Sequence, residues 1–415
     1  MIPMLNILPR RAPRLRHAIV AALLIPACVS AQERLLGLTT VSTGVFYENW
    51  SLPTAVPTTT ASGGSSLISG ASQFTFPLAV VVPLTEGWTV DAYSALVQGT
   101  VRQTSATGGP GRSIQLNGLT DTRLRVVGQL VGDALVLTAG VTAPTGKTGL
   151  TDEQRDALAI ISAPGLRFRS PGLGAGAGAT LGLIAARQVS GWGMALGTSF
   201  EMRGTYAPAE ALQVNQAASD LRPGNAVHLS LAGERVAGAI RHTLSIGGDV
   251  YQAGELRDRT AGGNTSALTL GPSITGTYQL DASTGQVESS TFIVARHRGA
   301  YSVAGQTAEG SGRTEIEAGS QLLRALTPSY GLRLALEGRV QTTSATPTSE
   351  GGTGVGFATA GVQAVGGTVA VRMGPPQGAL SIEPFARVQA GRLDFSSTTR
   401  TITGLSGGVT LTTRF

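Results

Sequence analysis

The chain has 415 residues, a formal net charge of +6, only 13% charged residues and 57 glycines. Four arginines and no acidic residues fall within residues 1–31, so the rest of the chain carries +2, which excludes the strongly basic balance of a nucleic-acid-binding protein. The single cysteine, Cys28, lies in the same stretch, so disulfides do not hold residues 32–415 together.

The first 31 residues have the pattern of a cleaved export signal. Four arginines between positions 10 and 16 precede a short apolar run at 18–28, and small residues at 29–31 precede Gln32. This predicts a signal peptide at 1–31 and a mature domain at 32–415 that is exported through the periplasm. Lipidation of Cys28 is the alternative, although Pro26 fits that pattern poorly.

Apolar and polar residues alternate along the mature chain, which is the pattern of strands with one buried face. No helical period runs for several turns, and after residue 31 no apolar run approaches the length of a membrane-spanning helix. The pattern predicts about sixteen strands. Fourteen is the alternative if two of the weaker segments are loops. The predicted strands are 34–50, 67–84, 88–103, 117–131, 134–144, 174–189, 192–207, 225–235, 239–253, 266–280, 287–303, 313–326, 330–343, 356–372, 379–393 and 405–415.

The connections between these strands alternate in length. Short turns such as 85–87 and 190–191 alternate with long polar stretches such as 51–66, 147–173 and 208–224. This alternation is typical of transmembrane barrels, with short turns in the periplasm and long loops outside the cell. We therefore predict an all-β fold, an antiparallel up-and-down transmembrane β-barrel, since only a closed barrel satisfies the backbone of strands in lipid.

The last predicted strand has one apolar face and ends on an aromatic residue. Val409, Leu411 and Phe415 point to one side, while Thr410 and Thr412 point to the other. This ending resembles the C-terminal signal of bacterial outer-membrane β-barrels. The resemblance implies that Phe415, Leu411 and Val409 are an assembly signal read by the barrel-assembly machinery, and that the mature protein lies in the lipid of the bacterial outer membrane.

Aromatic residues are scarce but lie near strand ends, as expected for the girdles of a membrane barrel. The predicted periplasmic girdle consists of Trp88, Trp192, Tyr330 and Phe415. The predicted outer girdle consists of Trp50, Tyr206, Tyr251 and Tyr301.

Several strands carry charged residues on one face only, as where Arg123 and Arg125 alternate with Leu124 and Val126. A sixteen-stranded barrel is too wide for side chains to fill, so the charged face is expected to line an aqueous pore. The residues predicted to line it are Arg123, Arg125, Arg296, Arg298, Glu315, Glu317, Arg333, Glu337, Arg339, Glu383 and Arg387. Six of them, Arg296, Arg298, Glu315, Glu317, Glu337 and Arg339, are predicted to neutralise one another as cross-strand neighbours near the outer mouth.

The long segment 147–173 contains a helix signal. Thr151 and Gln154 form a potential capping box, and Ala157, Leu158 and Ile161 follow on one apolar side. We expect this segment to fold inward against a groove of alternate glycines at 172–178 and to narrow the pore. A solvated loop beside a glycine-rich strand is the alternative.

Two other patterns resemble a phosphate-binding loop and a hydrolytic catalytic site, but each lacks a residue or a spacing that the site requires. The run Gly146-Lys147-Thr148 follows an apolar strand, but Val141 stands where a phosphate-binding loop needs its first glycine. Only three histidines lie beyond residue 31, and no compact spacing of Ser, His and an acid accompanies them. The chain is therefore predicted to be no enzyme and to bind no cofactor or metal.

The segment 121–151, which reads DTRLRVVGQLVGDALVLTAGVTAPTGKTGLT, is similar to the paired strands and Pro-Thr-Gly loop of the outer-membrane transporter family associated with phenol-degradation gene clusters. That resemblance implies transport of hydrophobic or aromatic compounds. The charged strand faces favour a channel that passes small-molecule solutes by diffusion through a polar lumen. The transporter is the first alternative and a structural or adhesive barrel the second, each as a monomer or homo-oligomer.

Deleting Phe415 is expected to lower the yield of folded protein in the outer membrane, because the deletion removes the aromatic end of the assembly signal. Folded barrels migrate anomalously on unboiled gels, so the heat-modifiable band in outer-membrane fractions measures the yield. A wild-type band from the truncated protein would contradict the assignment of the signal.

Overall fold

The computed structural model describes residues 39–59, 65–105, 111–131, 134–147, 150–206, 219–258, 265–308, 311–344, 359–375, 378–395 and 397–415. The predicted signal peptide at 1–31 lies outside these residues. Within them the chain forms one helix, α1 at Asp152–Ile161, and the strands β1 (Thr40–Thr59), β2 (Ser65–Thr85), β3 (Trp88–Ser105), β4 (Arg112–Leu119), β5 (Thr122–Val131), β6 (Leu135–Ala143), β7 (Gly178–Val189), β8 (Trp192–Arg203), β9 (Ser219–Arg222), β10 (Ala226–Ala237), β11 (Ile240–Tyr251), β12 (Gly254–Asp258), β13 (Thr265–Thr269), β14 (Ser273–Thr284), β15 (Val287–Arg298), β16 (Ser302–Val303), β17 (Gln306–Thr307), β18 (Gly312–Thr327), β19 (Tyr330–Ser344), β20 (Gly361–Met373), β21 (Leu380–Asp394) and β22 (Thr399–Arg414).

The long strands close into one antiparallel barrel. Strand β1 pairs with β2 on one side and with the last strand, β22, on the other, so the sheet has no free edge there. Strands β4 and β5 both pair with β3 and share one position, so the 17 strands of this sheet fill 16 positions. The predicted up-and-down barrel is confirmed, with sixteen strands rather than fourteen.

A bulge separates β4 from β5. Leu119 lies opposite Leu96 of β3, but Arg123 lies opposite Tyr93, so the β4–β5 side has one residue more than β3 over this interval. An extra residue breaks the ladder locally and turns the side chains beside it. As a result Asp121 points into the barrel together with Arg123 and Arg125, where it becomes an anchor for the longest connection.

The short connections lie at one end of the barrel and the long ones at the other, as predicted. In the turn between β7 and β8, both Ser190 and Gly191 have positive φ angles, of 50° and 81°. Two successive residues in the left-handed conformation form the type of turn whose twist matches that of a β-hairpin.

The predicted loop 51–66 is wrong for most of its length, since β1 continues to Thr59 and β2 begins at Ser65. Prolines in this stretch and a register shift between Ser51 and Val56 interrupt the alternation that would have revealed the strands.

Three long connections join in a second, small sheet beyond the loop end of the barrel. Its strands pair in the order β17-β16-β13-β12-β9, around buried Leu221, Leu256, Leu268 and Val303. The single strand predicted at 266–280 is therefore two elements: β13 belongs to the small sheet, and β14 enters the barrel only at Ser273. Pro272, which lacks the N–H that a strand interior needs, lies between them.

The outer face of the barrel is apolar and exposed. Leu196, Leu336 and Val388, on three different strands, are each 63% exposed, and most strands carry similar outward residues. The apolar side of β22 faces outward as well, with Val409 exposed and Phe415 70% exposed. In the described part of the chain no helix has the length and hydrophobicity that crossing a membrane requires.

The two predicted aromatic girdles differ in outcome. Tyr330, at the short-turn end, is 51% exposed, in keeping with the predicted periplasmic girdle. Trp88 and Trp192, which the prediction assigns to the same girdle, begin β3 and β8 beside short turns.

The predicted outer girdle is wrong. Trp50 is buried inside the barrel, Tyr206 and Tyr301 pack on the core of the small sheet, and Tyr251 lines an interior cavity. These residues lie close to strand ends, but alternation turns them inward or the loops cover them.

Replacing Leu336 by Arg is expected to destabilise the barrel by about 2–4 kcal/mol in a lipid bilayer, because it places a charge on the apolar outer face. The neighbouring Ala335→Arg variant is the matched control, since Ala335 points inward. Reversible denaturant unfolding in lipid vesicles gives both free energies. Equal losses for the two variants would contradict the assignment of the faces.

Candidate functional site

The connection between β6 and β7, described at 144–147 and 150–177, folds into the barrel. We call it the inward segment. Thr151 caps helix α1: its hydroxyl accepts a hydrogen bond from the Gln154 backbone N–H, and the Gln154 side chain accepts one from the Thr151 N–H, at 3.3 Å each. The predicted capping box is therefore present. It satisfies backbone donors at the helix start and fixes where the chain turns inward.

One side of the inward segment packs against the barrel wall. Leu158, Ile160, Ile161, Leu166 and Leu173 are each at most 1% exposed. They join one apolar cluster with inward residues of β1 to β4 and of β20 to β22. A β-carbon at Gly99 on β3 would overlap Ile161, so glycine at this position allows the helix to lie directly on the wall. Burial of this many apolar side chains holds the segment inside.

The inward position was predicted, but the groove was not the predicted one. Of the glycines at 172–178, Gly174 lies beside Asp121 and Gly176 beside Thr205 and Tyr206, while a β-carbon at Gly172 would meet nothing within 4 Å. The helix instead lies over β2, β3 and β4. Sequence spacing showed that the glycines share a face, but it did not show which wall the apolar side of the helix would meet.

Asp121 anchors both ends of the inward segment. Its carboxylate accepts hydrogen bonds from the backbone N–H of Gly146 at 2.8 Å, of Ala175 at 2.5 Å and of Gly176 at 3.0 Å. Asp121 is 7% exposed, and hydrogen bonds from several backbone donors compensate the cost of burying a carboxylate. The bulge between β4 and β5 is what aims this side chain at the segment.

Polar contacts hold the middle of the segment to β1, β2 and β19. The Gln73 side chain donates to the Ser170 carbonyl at 2.7 Å and accepts from the Ser170 N–H at 3.0 Å. Glu48 accepts from the Arg169 N–H at 2.8 Å. Arg339 donates to the carbonyls of Pro164 at 3.3 Å and Gly165 at 2.5 Å. The segment therefore contacts strands on both sides of the β1–β22 closure.

Arg167 forms the electrostatic contact between the segment and the wall. Its guanidinium lies 3.2 Å from Glu315 and 2.8 Å from Glu317, and Arg296 of β15 lies 3.2 Å from each of the same carboxylates. Burial alone would lower the pKa of Arg167, but Glu315 and Glu317 outweigh burial and raise the pKa above its ordinary value. Two arginines and two glutamates thus form a closed cluster, which we call the charge cluster.

The backbone of Arg167 is strained. Its φ is 48°, in the left-handed region that residues with a β-carbon rarely adopt. Such a conformation costs about 1–3 kcal/mol and persists where surrounding contacts fix it. Here the two ion pairs and the buried neighbour Leu166 supply those contacts, so the position of the Arg167 guanidinium is tightly set.

The cross-strand neutralisation near the outer mouth is present only in part. Arg296 lies opposite Glu315, as the register requires, and pairs with it. Arg339 lies opposite Glu317 but donates to the inward segment instead, and Glu337 pairs with Arg387 of β21. Arg298 lies opposite Arg313 and not opposite an acid. The strand register decides which residues become partners. Alternation in the sequence does not determine that register to within one residue.

The other residues predicted to line the pore lie nearer the short-turn end. Arg125 pairs with Asp91 at 2.8 Å and Arg333 with Glu383 at 2.5 Å, each across neighbouring or next-nearest strands. Arg123 is exposed on the inner face, opposite Tyr93. Most of the predicted residues are thus members of ion pairs on the inner wall.

Sequence reasoning missed a polar network around His228. Its Nδ1 lies 2.6 Å from Asp249 and its Nε2 lies 3.2 Å from Glu201, on the two neighbouring strands. The hydroxyl of Ser273 donates to Asp249 and not to the imidazole, so the arrangement is not a nucleophile and base pair. Residues 21 and 27 positions away from His228 become neighbours only through the register.

Removing the Asp121 carboxylate is expected to release the inward segment. Asp121→Ala leaves three backbone donors without their partner, a loss of at least about 3 kcal/mol, since hydrogen bonds to charged groups contribute about 1.5–3 kcal/mol each. Limited trypsin digestion of the folded protein should then cut after Arg155 and Arg167 much faster than in the wild type. Asp91→Ala, another inward aspartate on the adjacent strand, is the control and should leave the cleavage rate unchanged. Slow cleavage in both variants would contradict the anchoring role.

Comparisons with known proteins give distant structural likeness only. No protein-family profile matches the sequence, and no characterised protein is significantly similar to it. The TodX ΔS2S3 mutant monoaromatic hydrocarbon channel is 10% identical, with 91% of each chain covered and a TM-score of 0.45. OprB of Pseudomonas putida at low pH is 8% identical, with 91% of this chain and 93% of that chain covered and a TM-score of 0.45. A FadL homologue of Pseudomonas aeruginosa is 7% identical, with 91% and 90% covered and a TM-score of 0.41. Sequence identities and TM-scores this low do not allow the function of any of these proteins to be transferred to this chain.

Proposed function

We propose that this chain is an outer-membrane channel that passes small polar solutes by diffusion, through a lumen narrowed by the inward segment. The observation that carries the proposal is the charge cluster. It joins Arg167 of the segment to Glu315, Glu317 and Arg296 of the wall, inside a barrel whose outer face is apolar.

The two faces of the barrel support a position in lipid. A water-soluble protein rarely exposes large contiguous apolar patches, whereas here Leu196, Leu336 and Val388 are each 63% exposed on an apolar outer face. The members of the charge cluster and the other ion pairs described above lie on the other face, within the barrel. Apolar residues outside and polar residues inside are the arrangement of a membrane barrel with an aqueous interior.

The interior favours polar solutes over the hydrophobic compounds that the phenol-associated resemblance implies. The largest apolar cluster inside the barrel, on β1 to β4 and β20 to β22, is covered by the segment itself, since Leu158, Ile160 and Ile161 pack into it and are each at most 1% exposed. Beyond the segment, the wall of β8 to β18 presents Glu201, His228 and Arg296 among its inward residues. A solute that passes along this wall meets charges of both signs, which orient a dipolar molecule and slow an apolar one.

The charge cluster is expected to set ion selectivity. The double variant Glu315→Lys/Glu317→Lys replaces both carboxylates by cations beside Arg167 and Arg296, so the channel should become severalfold more permeable to anions relative to cations. The reversal potential in planar bilayers under a salt gradient measures the ratio. The ionic strength should stay near 0.1 M, where the screening length is about 10 Å.

Glu288→Lys is the control, because it makes the same Glu→Lys replacement once, half the charge change of the double variant, at an exposed position beside the short turn that starts β15. Its reversal potential should stay close to that of the wild type. Two results would count against the proposal: wild-type protein that folds but does not conduct, and a double variant with an unchanged reversal potential.

A further inference from the structure

A cavity of about 350 Å³ lies at the loop end of the barrel interior, separate from the anchored face of the inward segment. Its lining includes Arg203, Tyr251, Ser273, Arg296, Arg298 and Arg313. These residues come from β8, β11, β14, β15 and β18, which are neighbouring parts of the wall below the small sheet. The volume is at the lower end of the range for small-molecule sites, about 300–1,000 Å³.

Two arginines of this lining lie directly opposite each other. Arg298 of β15 and Arg313 of β18 are partners in the strand register, and strand alternation turns both inward. Side chains of directly opposed residues are about 4.5–5.5 Å apart at their β-carbons, and like charges there destabilise the pair. An anion between the two guanidinium groups would remove that repulsion.

Two other arginines of the cavity are already paired with acids. Arg203 pairs with Glu201 at 2.8 Å, and Arg296 belongs to the charge cluster with Glu315. Arg313 interacts with further groups of the protein. Arg298 is different: among the described residues it has no ion pair or hydrogen bond through its side chain. One uncompensated guanidinium matches a singly charged anion such as a carboxylate better than a doubly charged phosphate.

The hydroxyl groups of the cavity are oriented by Asp249. Ser273 and Tyr251 both donate their hydroxyl protons to this carboxylate, the second at 3.5 Å, and His228 lies against its other oxygen at 2.6 Å. Because those protons are engaged, the oxygens of Ser273 and Tyr251 face the cavity as acceptors. Acceptors beside a cation suit a ligand that carries hydroxyl donors next to a carboxylate.

We propose that this cavity is a binding site for a small hydroxylated monocarboxylate of the sugar-acid type, whose carboxylate bridges Arg298 and Arg313 and whose hydroxyls donate to Tyr251 and Ser273. The site deepens the proposed function and rests on it, since it names the class of solute that the channel would collect at its loop end. Charge-assisted, two-point contact of a carboxylate with arginine gives both affinity and orientation.

Calorimetric titration of the detergent-folded full-length mature protein with galacturonate tests the site. Galactose lacks the carboxylate, and cyclohexanecarboxylate lacks the hydroxyls, so both should bind at least about tenfold more weakly than galacturonate, in line with charged and neutral hydrogen bonds. Arg298→Gln should lower galacturonate affinity about tenfold, because it removes the uncompensated cation. Arg125→Gln removes one lumen cation near the other end of the barrel and should leave that affinity unchanged.

Equal affinity for galacturonate and galactose would overturn the proposal, and so would equal losses in the Arg298→Gln and Arg125→Gln variants. Binding of inorganic phosphate as tight as that of galacturonate would overturn the choice of a hydroxylated monocarboxylate. Conductance is measured separately in planar bilayers without galacturonate. A conducting channel that does not prefer galacturonate would refute only the binding site, whereas selective binding by a protein that does not conduct would refute only the channel.

Discussion

The closure of the barrel, in which β1 pairs with β22, is the constraint on which the rest of the structure depends. Once the sheet closes, every residue of a long strand faces either the outside or the interior, and the next residue faces the other way. The outside is then mostly apolar, and the interior receives charged residues of the wall such as Arg296, Glu315 and His228. A sixteen-stranded interior is too wide for those side chains to fill, which leaves room for a whole segment of chain.

The inward segment uses that room in two different ways. Its apolar side covers the wall near the β1–β22 closure and makes that half of the interior behave like an ordinary protein core. Its polar side presents Arg167 to Glu315 and Glu317, and the half of the interior formed by β8 to β15 stays polar. The same segment thus divides the barrel into a packed apolar half and a polar half, and the charge cluster lies at the boundary between them.

The parts of this arrangement that repeat along the chain could be predicted from the sequence. Alternation located sixteen strands, and the capping box at Thr151 and Gln154 located the helix. The parts that depend on register could not. Asp121 faces inward because of one extra residue in β4–β5, and Arg298 meets Arg313 because of the exact offset between β15 and β18. Trp50 lay at a predicted strand end, but the strand continues past it, and its face turns it inward against Gly404.

The contacts of the inward segment also bear on the order of folding. The segment lies between β6 and β7 in the chain, yet Arg167 and Arg339 join it to β18 and β19, about 150 and 175 residues later. These contacts cannot form until the last strands are in place, so docking of the segment completes late, together with closure of the sheet. A chain that closes with the segment still outside would leave Leu158, Ile160 and Ile161 exposed to water. The carboxyl-terminal third of the protein therefore acts as the template on which an early segment reaches its final conformation, and contacts of such long range make slow, cooperative folding the expected behaviour.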